Sequence, residues 1–160
     1  YGVINGFTIM ADSRSAHLQL FCGPYCPAKT YQDLQNNGNT SITVDRFTDH
    51  FPLWLEAADL SISMAGYNTC MNLVQAGIPA LVYPFKQNRE QRLRAERFGR
   101  KVAMTILSDT DLTPSLLARK MMQQLDYPRL TTDIHLDGAR ETVRQIEIWG
   151  QEQSQGAISP

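Results

Sequence analysis

Hydrophobic and polar positions along the chain switch between the period of a helix and that of a strand. Val3, Ile4, Phe7 and Met10-Ala11 recur at helical spacing, which predicts a helix over residues 2–11. His17 to Cys22 alternates and then runs apolar, the pattern of a strand, between turn-forming stretches at Asp12 to Ser15 and Gly23 to Pro27. A short helix over Thr30 to Gln35 stops at Asn36-Asn37-Gly38-Asn39, and Ile42-Thr43-Val44 is a further β-prone run. Asp49 is placed to cap a helix over Phe51 to Ala58, whose first turn suits Pro52.

The stretch from Ala58 to Pro84 organises the rest. Leu60 to Ser63 is a short strand, Ala65-Gly66-Tyr67-Asn68-Thr69 a turn, and Cys70 to Ala76 a helix with apolar residues at 70, 71, 73 and 74. Gly77 stops that helix, because a left-handed residue after the last turn costs glycine nothing. Ile78-Pro79 then opens a strand over Ala80 to Tyr83. Strand, loop, helix and strand make one βαβ unit with parallel strands. Further on, Arg89 to Phe98 is a charged helix ending at Gly99, and Val102 to Leu107 is a strand. Thr113 and Pro114 stand at the cap and first position of a helix over Ser115 to Leu125. The last helix is predicted over Gly138 to Trp149, followed by a polar, disordered tail at 151–160. The alternation predicts one α/β domain over residues 1–150, built on a Rossmann-like parallel sheet. In such sheets ligands sit at the carboxyl ends of the strands. Those ends carry the loops at 23–27, 45–50, 64–69 and 84–91.

The 65–69 turn is where chemistry is expected. A helix starting near Asn68 or Thr69 has free N–H groups and the positive end of its dipole in the first turn. Gly66 lets a ligand approach the backbone, and Asn68 and Thr69 add side-chain donors. Together they suit a phosphate or diphosphate. On local chemistry alone a plain helix cap, by Asn68 or Thr69, is the commoner role.

Composition narrows the rest. The 160 residues are enough for one domain with a core, 42% are hydrophobic and 19% charged, as in soluble globular proteins. A net charge of −1 gives no electrostatic case for nucleic acid or an anionic membrane surface. Three cysteines, Cys22, Cys26 and Cys70, cannot all pair, which favours a reducing, cytoplasmic location. No metal site is expected: Cys22 and Cys26 lack further ligands nearby, and Asp109-Thr110-Asp111 reads as capping material. The arginines at 89, 92, 94 and 97 read as a solvated helix face with Glu90 and Glu96 as partners. Of the three histidines, only His50 falls on the predicted ligand edge, and His17 and His135 do not.

Phe47-Thr48-Asp49, Ala58-Asp59-Leu60-Ser61-Ile62, Ala65 to Thr69, Ala76-Gly77-Ile78-Pro79, Glu90-Gln91 and Ala95 follow one another in one order and at one spacing. This set resembles the C-terminal, donor-binding domain of family 28 glycosyltransferases of the GT-B fold. Its M-A-G-Y-N-T form is similar to a group of bacterial glycosyltransferases in that family. The resemblance runs from about Gly2 to Leu125. It implies a domain that binds a nucleotide diphosphate sugar, such as a UDP-sugar, for hexosyl transfer to an acceptor hydroxyl without a metal cofactor. It also implies a role for each matching residue. Phe47 and Thr48 hold the base through backbone groups, Ala65, Gly66, Tyr67, Asn68 and Thr69 receive the diphosphate, and Glu90 and Gln91 bond the sugar.

Two departures from the family pattern stand out. Asn72 takes the place of a glutamate that bonds both ribose hydroxyls, and an amide accepts through one oxygen without charge. That favours, as an alternative, a non-catalytic nucleotide-sugar-binding or scaffold partner; a nucleotide-sugar epimerase on the same fold is a separate alternative, for which Glu90 is the one carboxylate at the sugar site. The family's acceptor domain, with the catalytic base, has no counterpart in these residues, and the catalytic residues are therefore unassigned. The resemblance implies that the chain is a fragment or one half of a two-chain enzyme. Any peripheral membrane association would run through the other half. It further implies that the first, central strand of the sheet is missing, leaving a gap or a re-paired neighbour.

Overall fold

The computed structural model describes residues 2–85, 87–99, 102–131 and 138–156, with side chains to Gln151. Twelve regular elements follow in order: α1 (Gly2–Ala11), β1 (Leu18–Phe21), α2 (Ala28–Gln35), β2 (Ile42–Asp45), α3 (Phe51–Ala57), β3 (Ser61–Met64), α4 (Tyr67–Ala76), β4 (Ala80–Tyr83), α5 (Arg89–Phe98), β5 (Met104–Ile106), α6 (Pro114–Leu125) and α7 (Gly138–Gly156). A 3₁₀ turn at Thr110–Leu112 precedes α6.

Every strand pair is parallel. β1 pairs with β2 from Leu18 opposite Ile42, β3 with β4 from Ser61 opposite Ala80, and β4 with β5 from Ala80 opposite Met104. Among the described residues the five strands form two sheets, β1-β2 and β3-β4-β5, and no ladder joins β1 to β3. β4 is buried on both faces, as the middle strand of a parallel sheet should be. Leu81 points into a core with α1 and α6, shared with Ile42 and Val44 of β2. Ala80 and Val82 point the other way, into a core with Leu55 of α3, Leu73 and Val74 of α4 and Ala95 of α5. The domain is therefore layered helix, sheet, helix. α1 lies along α6, and Gly6 lets them approach: a Cβ there would sit 3.2 Å from Leu117.

Several local expectations needed correction. Asp49 does not cap α3; the cap residue is His50, with no side-chain cap, and the Asp49 carboxylate lies 3.5 Å from the His50 ring in solvent. Thr113 stands at the cap position of α6, but its hydroxyl donates back to the Thr110 carbonyl at 3.2 Å instead of capping. The tail does not fray at Gln151: α7 continues to Gly156, because nothing from 150 to 155 breaks a helix except Gly150, whose cost one residue can absorb. Residues 157–160, and with them the rest of the tail expectation, lie outside the described residues, as do Lys86, Arg100 and His135.

Candidate functional site

β3 ends at Met64, and the chain turns into α4 through Ala65 and Gly66. Ala65 is wholly buried and anchors the turn in the core. The helix begins at Tyr67, slightly earlier than its apolar stripe suggests, with Gly66 at the cap position. No side chain caps it. Asn68 and Thr69, the residues suited to capping, lie inside the first turn, so the common role read for them does not apply here. The first-turn N–H groups are thus left to solvent or a ligand, at the positive end of the helix dipole. Gly66 has φ −62° and ψ 155°, a conformation open to any residue, and a Cβ there would meet only the Thr69 hydroxyl, at 3.6 Å. The backbone therefore does not require glycine at this position. An unfilled space beside the helix start does fit its presence.

The far end of α4 is closed as firmly as its start is open. Gly77 has φ +60°, donates to the Val74 carbonyl at 3.2 Å, and accepts from the Leu130 N–H at 2.9 Å. Asn72 lies half-buried one helical turn beyond Asn68, on the same side of α4.

α5 brings the other predicted residues toward the turn. Asn88 caps it, accepting from the Gln91 N–H at 3.2 Å. Gln91 uses its own side-chain oxygen to accept from the Phe85 N–H at 2.9 Å, which fixes the loop after β4. Glu90 is exposed, and its carboxylate reaches Arg94 at 4.0 Å. Arg94 in turn donates to the Ala65 carbonyl at 3.3 Å and lies over the Tyr67 ring, 5.3 Å from its centre. Glu90 and the 65–67 turn are thereby linked through one guanidinium. The charge of Arg94 predicts a place on the solvated face of α5. Arg92, paired with Glu96 at 3.1 Å, does stand there, but Arg94 shares the inward side of α5 with Gln91, Ala95 and Phe98. The i, i+3, i+4, i+7 spacing of those four residues was the available signal.

Phe47 and Thr48 follow the carboxyl end of β2, as Ala65 follows that of β3. Phe47 is an exposed aromatic ring, and the Thr48 hydroxyl accepts from the His50 N–H at 3.1 Å, which folds the loop locally. The neighbouring 23–27 loop is held by Arg46, which donates to the Cys26 carbonyl at 2.6 Å and lies over Tyr31. Burial and the adjacent Cys26 thiol push the Cys22 thiol up, which keeps it protonated. Among the described residues no three His, Cys, Asp or Glu side chains gather as a metal site. Asp111 accepts from the Ser108 N–H and hydroxyl at 2.8 and 2.7 Å, and Asp109 accepts from the Tyr83 hydroxyl at 2.6 Å. An open recess of about 540 Å³ lies apart from this edge, lined by Thr105, Lys120, Gln124 and Tyr127. Gln124 there is engaged with Thr105 and the Ala103 carbonyl, ties that hold α6 to β5.

Parallel sheets layered between helices place this domain in the Rossmann-like class. The chain belongs to the glycosyltransferase family 28 C-terminal domain family, whose description matches residues 6–133. A UDP-N-acetylglucosamine–N-acetylmuramyl-(pentapeptide) pyrophosphoryl-undecaprenol N-acetylglucosamine transferase of Mycobacterium leprae is 35% identical over 83 residues, 51% of this chain and 20% of that protein. A putative UDP-glucuronosyltransferase of Caenorhabditis elegans is 31% identical over 103 residues, 58% of this chain and 20% of that protein. The chain thus matches about a fifth of the length of these relatives. In fold it is similar to Acinetobacter baumannii MurG, with a TM-score of 0.59 and 21% identity over 78% of this chain and 38% of the other.

Proposed function

We propose that this domain binds the donor of a glycosyltransferase, a nucleotide diphosphate sugar, and that the 65–69 turn receives the diphosphate. The observation that carries the reading is the open start of α4: no side-chain cap, a glycine beside it with space to spare, and the dipole's positive end. Membership of the family supports a glycosyltransferase setting for this reading. UDP is the proposed nucleotide, since the relatives are named for UDP-sugars. Phe47 and Thr48 would meet the base, Asn72 the ribose, and Glu90 with the Gln91 amide the sugar hydroxyls.

In the reaction an acceptor hydroxyl attacks the anomeric carbon, and the bond to the diphosphate breaks. Charge builds on the leaving diphosphate, and N–H groups already oriented at that point stabilise it without reorganising. This reading assigns that charge to protein donors and needs no metal. The acceptor and the general base would come from a further domain or a partner chain. A cytoplasmic site in a bacterium is part of the same proposal, supported by three unpaired thiols, Cys22, Cys26 and Cys70. No described helix is long and apolar enough to cross a membrane.

Calorimetric titration with UDP, UDP-N-acetylglucosamine and uridine tests the reading. Binding of both diphosphates with weak or absent uridine binding supports it. Equal affinity for UDP and uridine would place no diphosphate at the turn.

A further inference from the structure

Arg94 is held where a helix-stabilising cation would not be. Cations favour the carboxyl ends of helices and disfavour the amino ends. Yet Arg94 bonds the Ala65 carbonyl, one residue before the cap of α4, and covers Tyr67, the first residue of the helix. Its charge is felt inside that first turn: it opposes the upward push that burial gives the Cys70 thiol. Its side chain is 21% exposed, and its nearest anion, Glu90, sits at 4.0 Å and is itself 85% exposed, a loose pair worth little in water. A guanidinium carries five N–H donors, and the bond to Ala65 uses one of them.

Resting on the donor reading above, we propose that Arg94 is a positioning residue for the donor diphosphate. It fixes the 65–67 turn through the Ala65 carbonyl and adds a positive charge to the uncapped helix start. An anion at that helix start would meet both the positive end of the dipole and the guanidinium. Glu90 partly neutralises Arg94 until its carboxylate turns to a sugar hydroxyl, so Arg94 couples the sugar and diphosphate subsites.

The test is calorimetry of the intact protein with UDP and with uridine, at two salt concentrations, for wild type, Arg94→Gln, Arg94→Lys and Glu90→Gln, each checked by thermal melting. Arg94→Gln should weaken UDP binding about tenfold or more, as loss of a charge-assisted contact does. Uridine binding should be unchanged and the salt dependence of UDP binding shallower. Arg94→Lys should recover part of the UDP affinity, because it keeps the charge and loses the fork. Glu90→Gln should tighten UDP binding about two- to threefold by removing the competing carboxylate. Three results would overturn the proposal: UDP affinity equal in wild type and Arg94→Gln, equal losses for UDP and uridine, or no recovery in a well-folded Arg94→Lys. Wild-type protein that binds UDP no better than uridine would overturn the donor reading itself, and this inference with it.

Discussion

Arg129 donates to the carbonyls of Leu55, Glu56, Ala58 and Ala76, so a single side chain closes the carboxyl ends of α3 and α4. A cation suits those ends, where the helix dipole is negative and the last carbonyls lack partners. Arg129→Ala should cost about 2 kcal/mol, the scale of a charged hydrogen bond lost, seen as a lower urea midpoint. Arg129→Lys should fall between, since one ammonium cannot span two helices. Asp111 has its carboxyl held below its ordinary value of 3.8, first by the Ser108 hydroxyl and backbone N–H, with Lys120 adding to them. A carboxyl lowered on folding contributes stability above its unfolded value, and that contribution is lost as pH falls through the folded one. Asp111→Asn should therefore be less stable at neutral pH and show a shallower loss below about pH 4 in urea titrations. Gln91 has a structural duty beside the proposed one at the sugar, because its oxygen accepts from the Phe85 N–H. Gln91→Ala would disturb the loop as well as the sugar. Gln91→Glu keeps the acceptor and removes the donor, so it should weaken UDP-sugar binding and leave UDP binding unchanged by calorimetry.

At the scale of elements, the punctuation residues made most of the fold legible. Pro79 and Gly77 bound β4 and α4, and β4 and α5 fall where the sequence pattern put them, at Ala80–Tyr83 and Arg89–Phe98. Gly77 is the left-handed stop that its sequence position predicts, with φ +60°; a side chain there would also collide with the Leu130 carbonyl. Gly77→Ala should destabilise by at least about 1–2 kcal/mol, the cost of the left-handed conformation alone, and thermal melting would show it. Caps were less legible. Asp49 and Thr113 have capping chemistry, but the choice among nearby partners is made by loop geometry, and both bond elsewhere. The same limit applied to Arg94: its charge suggested solvent, and only the inward spacing with Ala95 and Phe98 showed its side of α5. The open start of α4 was legible as a possibility, but only the absence of a side-chain cap distinguishes it from an ordinary helix.

For the whole molecule, the two sheets differ in how well they are covered. All four residues of β1 are half-buried, whereas β4 is buried on both faces and paired on both edges. A two-stranded sheet is marginal on its own, so β1-β2 should open more readily than β3-β4-β5. Amide hydrogen exchange should find the strongest protection at Leu81 and Val82 and clearly weaker protection at Gln19 and Leu20. The parallel order was legible in the alternation of strands and helices, which leaves few topologies, whereas a gap in the sheet was implied only by the family resemblance. The linkage of α5 to the α4 start through Arg94 was not legible, since it is long-range and made by a side chain. The central claim is that the open start of α4 receives a diphosphate, and Gly66→Val tests it most directly. Valine fits the backbone at φ −62°, and its Cβ would meet only the Thr69 hydroxyl, at 3.6 Å, so the fold should keep its melting temperature. Calorimetry with UDP should show tight binding by wild type and none by Gly66→Val; undiminished binding by the folded variant would contradict the claim.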